Sequence, residues 1–203
     1  FKLKIMKLLK YALLAIPFLY FSCSDDDDAP EPINEEEVIT TMTVTLVNHQ
    51  NGSDVVTMQT QDLDGDGPNE PVITVSGPLT AGTSYAGSIV WLNEMEDPAE
   101  NVTEEIVEEQ DEHQVFFSFT EGAFSNPGGN GNIDKASDPI VYNDKDENGH
   151  VVGLSTTWET SSTPLKEGTF TVQLQHQPGV KTASSGANDG DSDFDLTFVL
   201  NIE

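Results

Sequence analysis

The sequence predicts an all-β domain, an immunoglobulin-like antiparallel β-sandwich of about eight strands with one short acidic helical excursion. Three observations lead there. Phe194, Leu196, Phe198, Leu200 and Ile202 alternate with Asp195, Thr197, Val199 and Asn201, the period-two pattern of a strand with one buried face. Met42, Val44 and Leu46 alternate with threonines, and Asn51-Gly52 follows soon after, a pair that tolerates the positive φ of a tight hairpin turn. Further apolar runs recur between turns rich in Gly, Pro, Asn and Asp, without any βαβ alternation.

Taken in order, residues 38–203 form the predicted domain. Its first strand runs from about Val38 to His49, and the hairpin partner passes through Val55, Val56 and Met58 to about Gln61. Further strands are expected at 71–76, 83–93, 114–120, 151–159, 168–177 and 194–202. Tyr85, Ile89, Val90 and Trp91 mark one of them, and Leu154 and Trp158 another. The stretch from Asp97 to His113 breaks the alternation. It holds eight acids, while Val102, Ile106 and Val107 recur at helical spacing. Asp97 is suited to capping a helix and Pro98 to its first position, so a short acidic helix is expected to open there.

Ahead of the domain, residues 1–22 read as a secretory signal. Phe1 is not an initiator, and Met6-Lys7-Leu8-Leu9-Lys10 makes a better start. The apolar run from Tyr11 to Phe21 is shorter than the roughly 20 residues that cross a hydrocarbon core. Cys23, the only cysteine, stands at the cleavage point, so no disulfide framework exists. Leu19-Tyr20-Phe21-Ser22-Cys23 resembles the looser lipoprotein signal of Bacteroidota, which implies that Cys23 becomes the lipidated first residue. Ser24-Asp25-Asp26-Asp27-Asp28 resembles the signal that sends such lipoproteins to the outer face of the outer membrane. The same acids also read as a solvated linker, which leaves the periplasmic face open as the alternative. Residues 23–37 are too acidic and too poor in apolar side chains to order themselves and are expected to be a tether.

Charge narrows the function. The chain has 36 acids against eight basic residues, a formal net charge of −28, and all the basic residues are lysines. Nucleic-acid binding needs clustered cations, and bidentate phosphate or carboxylate clamps need arginine, so both are excluded. Catalysis is not expected either. There is no G-x-S-x-G, and the Gly-rich stretch Asn126 to Asn132 lacks the lysine and helix start of a phosphate cradle.

What remains is chemistry that attracts cations. Asp62, Asp64 and Asp66 before Gly67 match the first half of a Ca²⁺ loop, in which alternate carboxylates converge around a tight turn. Ile73 stands where the full motif has its bidentate Glu. Asp144, Asp146 and Asn148 before Gly149 repeat the half-motif, and Asn188 to Asp193 form a third acidic loop. Asp, Asn and Gly are also good turn formers, so plain turns are the competing expectation. Histidine is the second signal. His113 has the parity of Val115, Phe117 and Phe119, and His176 that of Phe170, Val172 and Leu174, which puts both near strand ends on apolar faces. With Glu109, Asp111 or Glu112 in reach, imidazole nitrogen and carboxylate oxygen suit Zn²⁺ or Cu²⁺. Half-buried histidines bonded to backbone are the plainer alternative.

Several segments together resemble a family of small flavobacterial lipoproteins. They are Asp62 to Asn69, Leu92-Asn93-Glu94, Asp97 to Glu105, Glu112-His113-Gln114-Val115-Phe116-Phe117, His176-Gln177-Pro178 and the Asp-rich run before the final strand. The similarity covers most of residues 38–203. Such proteins are often labelled "type 1 periplasmic binding fold superfamily protein", a label that implies a doubly wound α/β fold, whereas the strand pattern here is all-β. The resemblance implies a lipoprotein and carries over no site residues. By analogy with Bacteroidota surface lipoproteins, the expected function is non-catalytic capture of a metal ion or small solute at the outer membrane. A TonB-dependent transporter is the partner that this analogy implies. His113, His176, Glu109 and Glu112 are the expected ligands. The competing function is a structural or adhesive sandwich stabilised by Ca²⁺ at Asp62, Asp64, Asp66, Asp144, Asp146 and Asn148.

Overall fold

The computed structural model describes residues 37–65, 67–128, 132–133 and 141–203. The expected signal segment, Cys23, the expected tether up to Glu36 and the loop residue Asp66 lie outside the described residues. Within them the elements run β1 (Thr41–Asn48), β2 (Val55–Gln61), β3 (Val72–Val75), β4 (Ser84–Leu92), α1 (Val102–Glu108), β5 (His113–Phe119), β6 (Phe124–Asn126), β7 (Asn132–Ile133), β8 (Val141–Tyr142), β9 (Ser155–Thr160), β10 (Leu165–His176) and β11 (Asp191–Ile202). All the strands expected from the sequence are present. The short β6, β7 and β8 are additions, and β9 opens at Ser155 rather than 151.

One sheet has the order β3-β2-β1-β4-β9-β6 with β8 also on β9, and the other is β11-β10-β5-β7. Each of these pairings is antiparallel, as in a sandwich and unlike a doubly wound sheet. Alternation explains why the sheets meet. Met42, Val44, Leu46, Met58, Tyr85, Ile89 and Trp91 of the larger sheet share one buried cluster with Val115, Phe117, Phe170, Val172, Leu174, Phe198, Leu200 and Ile202 of the smaller. Trp158 is its aromatic hub, with ring centroids 5.1 Å from Phe117, 5.9 Å from Phe119, 4.8 Å from Phe124 and 5.1 Å from Phe170. Most of these contacts are edge-to-face, which aromatic quadrupoles favour. The indole N–H donates to Thr156 Oγ1 at 2.8 Å, so burying the ring strands no donor. Gly87 makes room for it: a Cβ there would lie 2.5 Å from Thr156 Oγ1 and 3.1 Å from the Trp158 ring.

The acidic excursion is helical but starts later than the sequence suggests. Asn93 and Glu100 exchange backbone hydrogen bonds (3.0 and 2.9 Å), which holds Asp97 and Pro98 in a turn and makes Asn101 the residue before the helix. Val102 and Ile106 are buried, whereas Val107 is exposed. The Thr103 hydroxyl pins α1 to β4, accepting from Trp91 N–H at 2.8 Å and donating to its carbonyl at 3.1 Å. The far end of the helix is thereby delivered to the start of β5.

Polar residues on the other face of the smaller sheet are also covered. Gln114, Gln175 and Gln177 are buried together with Phe116, Val152, Lys181, Ser185 and Ala187. The amides of Gln173 and Gln175 donate to Ala187 O, and that of Gln177 to Gly186 O and Asp189 O, clamping the segment after β10 back along its own strand.

Candidate metal centre

His113 opens β5 and His176 closes β10, and the antiparallel register sets them directly opposite each other. Both are buried, and their rings stack 4.4 Å apart with planes 3° from parallel. The turn between α1 and β5 fixes the first ring: His113 Nδ1 lies 3.1 Å from the Glu109 carbonyl. A carbonyl can only accept, so Nδ1 carries a proton and Nε2 is the free lone pair of the neutral ring. Nε2 faces Asp193 Oδ2 at 3.6 Å, with both side chains fully buried. His176 Nε2 lies 3.3 Å from Glu112 Oε2, and its Nδ1 is buried without a hydrogen-bond partner. Gln177 N–H donates to Glu112 O at 2.6 Å, which holds the turn carrying Glu112 against the end of β10.

Asp193 arrives through a β-bulge. Phe194 pairs with Leu174 and Ser192 with Gln175, leaving Asp193 as the extra residue between them. Bulges re-aim side chains in this way beside functional sites. Both of its carboxylate oxygens are buried without a hydrogen-bond donor. A carboxylate so placed is costly unless a cation compensates it. Glu37, the first described residue, feels the same charges. Burial, then a hydrogen bond to the Glu105 carboxyl and the charges of Glu105 and Asp193 push its carboxyl up to about 7, against the pull of His113. For His113, burial opposes the charged ring, but Asp193 and the Glu109 carbonyl outweigh it and move its pKa upward.

The side-chain ligand atoms of Glu109, His113 and His176 all lie within 4.8 Å of one another, the one such group among the described residues. The expected ligands are therefore brought together, with Glu112 on His176. Asp193 is the member that sequence reading misses. It sits in a run that reads as an acidic turn, and only the bulge turns it inward. His49 stands apart on the β1–β2 hairpin, 3.3 Å from Ser84 Oγ.

The Ca²⁺ half-motifs fold as turns. Asp62 Oδ1 accepts the Asp64 N–H, and Asp64 Oδ2 accepts the Asn69 amide at 2.6 Å. Asp144 accepts N–H donors from Gly153, Leu154 and Ser155. Asp146 Oδ1 accepts those of Asn148 and His150, while Oδ2 faces an ammonium, and Asn148 itself is exposed. These oxygens are engaged by N–H donors or an ammonium, as in plain turns, and Asp66 lies outside the described residues.

Compared with protein-family models, with curated proteins and with solved structures, the chain matches none. The reading of the site rests on its own chemistry. Two imidazoles with flanking carboxylates form a nitrogen–oxygen set suited to Zn²⁺ or Cu²⁺ rather than to Ca²⁺ or Mg²⁺. Parallel rings aim their in-plane lone pairs side by side, so an ion at about 2.0–2.1 Å from each nitrogen requires one ring to tilt.

The pH dependence follows from the same groups. Glu37 has a folded value of about 7 against an ordinary 4.5, so its contribution to stability is complete below 4.5 and is lost as pH rises through 7. His113, raised from 6.5, contributes fully below that value and loses its contribution above it. Both slopes have the same sign. Without metal, the melting temperature is expected to fall as pH rises from about 5 through about 7. Saturating Zn²⁺ should flatten or reverse the fall, because its ligands bind better once deprotonated. Thermal melts with chelator and with Zn²⁺ check this.

Proposed function

We propose that this chain is a non-catalytic lipoprotein that captures a Zn²⁺ or Cu²⁺ ion through His113 and His176. Glu109, Glu112 and Asp193 supply the carboxylates. The observation that carries the reading is the pairing of two buried, stacked histidines, opposite each other in register, with a donorless buried carboxylate against one of them. A protonated His113 compensates that carboxylate, and once the ring is neutral a divalent ion takes over that role. The Glu112 side chain is 39 % exposed and Glu109 is exposed, so these two mark the side from which an ion reaches the histidines.

In this reading Cys23 anchors the chain in the outer membrane, and the acidic tether holds the capture domain off the lipid, facing the cell exterior. A TonB-dependent transporter is the partner that would take the ion onward, on analogy with surface lipoproteins of Bacteroidota. The test is titration calorimetry of the purified protein with Zn²⁺, Cu²⁺, Ca²⁺ and Mg²⁺ separately. One saturable site for Zn²⁺ or Cu²⁺, with only shallow, salt-sensitive heats for Ca²⁺ and Mg²⁺, is the expected outcome. Absence of a saturable transition-metal site would end the proposal, and tight Ca²⁺ binding in its place would favour a structural role.

A further inference from the structure

A second buried charge cluster lies where the segment before β9 meets the segment after β10. Lys181 Nζ is 3.0 Å from Asp146 Oδ2, with side chains only 1 % and 0 % exposed. Nζ also donates to Gln110 O at 2.6 Å, which fixes the amine against the carboxyl. On the other side of that carboxyl, Oδ1 accepts two backbone N–H bonds, from Asn148 at 2.9 Å and His150 at 2.8 Å. His150 Nδ1 lies 3.7 Å from Oδ2 and is buried without a hydrogen-bond partner. The loop is stiffened by Asp144, whose carboxylate accepts N–H bonds from Gly153, Leu154 and Ser155.

We propose that Lys181 and Asp146 are joined by an intramolecular isopeptide bond formed by these groups themselves. The parts are those of acyl transfer: an amine nucleophile, a carboxyl electrophile, two N–H donors on one carboxyl oxygen and an imidazole beside the other. Moving one proton from Nζ to Oδ2 converts the ion pair into a neutral amine and a carboxylic acid. Burial favours that direction, pulling the lysine's ammonium below its ordinary range, while Lys181 and the His150 N–H hold the Asp146 carboxyl below its own and set the cost that the step must meet. The Nζ lone pair then adds to Cγ, and the oxyanion that develops on Oδ1 meets the Asn148 and His150 N–H groups, as in an oxyanion hole. His150 Nδ1 relays a second proton from Nζ to Oδ2. The Cγ–Oδ2 bond breaks and water leaves. One C–N bond forms, one C–O bond breaks, and no oxidant or other reactant is needed. Holding both partners in place removes the entropic cost that makes this condensation unfavourable between free molecules.

The product would tie the loop before β9 to the segment that covers the glutamine face of the smaller sheet. It would constrain the unfolded chain as a disulfide does, in a protein whose single cysteine cannot supply one. Peptide mass spectrometry on the purified full chain is the test. The expected result is a branched peptide containing both Lys181 and Asp146, lighter by one water than its two parts, with no tryptic cleavage after Lys181. Lys181→Ala and Asp146→Ala should each restore linear peptides of unmodified mass. Linear, unmodified peptides from the folded wild-type protein would overturn the proposal. So would a water deficit that survives in Asp146→Ala.

Discussion

His176→Ala is expected to lower Zn²⁺ affinity by at least about 100-fold, because loss of an outer-sphere partner alone costs roughly 10–100-fold and this change removes a direct nitrogen donor. His113→Ala should do the same, since the two rings are register partners and the flanking carboxylates supply oxygen only. Combining them should leave the weak, salt-sensitive binding of an acidic surface. Asp193→Asn tests whether that carboxylate acts on the metal site at all. If it coordinates the ion or orients His113, affinity falls while stoichiometry holds, because Asn keeps the shape and loses the charge. Competition against a chromophoric chelator measures all four variants on one scale. Wild-type affinity in the double histidine variant would place any bound metal elsewhere.

The largest expected effect on the fold is at Trp158. The indole is 1 % exposed and packs against Phe117, Phe119, Phe124 and Phe170, so it bridges both sheets and the short β6. Trp158→Ala should cost about 3–5 kcal/mol, made up of lost transfer energy and the cavity left behind. That is a large share of the roughly 5–15 kcal/mol that holds a typical domain together. Trp158→Phe should recover part of the loss, because it restores a ring but not the full volume or the bond to Thr156. Denaturant midpoints at unchanged slope are the measure. A shift as small as a surface substitution gives would mean that the two sheets do not meet at this residue.

Most of the sandwich is legible in the sequence because a half-buried strand repeats every two residues. β1, with Met42, Val44 and Leu46, and β11, with Phe198, Leu200 and Ile202, show that period without interruption. The same rule places His113 and His176 on interior faces. What it does not supply is register, which follows from how many residues separate strands far apart in the chain. Their stacking is therefore seen only in the fold. Asp193 is illegible for a related reason: a bulge inserts one residue and changes which side chain points inward, and no local pattern marks it. The helix start fails through a long-range contact of the backbone, the pairing of Asn93 with Glu100, which takes Asp97 and Pro98 out of the helix. Asp144 and Asp146 carry a Ca²⁺-like spacing, yet Lys181, distant in sequence, decides what Asp146 faces.

The central claim is that two histidine nitrogens bind one metal ion, and X-ray absorption at the zinc edge of the Zn²⁺-loaded protein tests it most directly. The account predicts a shell of nitrogen and oxygen at about 2.0–2.1 Å whose imidazole multiple-scattering signal corresponds to two rings. That signal should shrink to one ring in His176→Ala. A first shell of oxygen alone, with no imidazole signal in the wild-type protein, would contradict it.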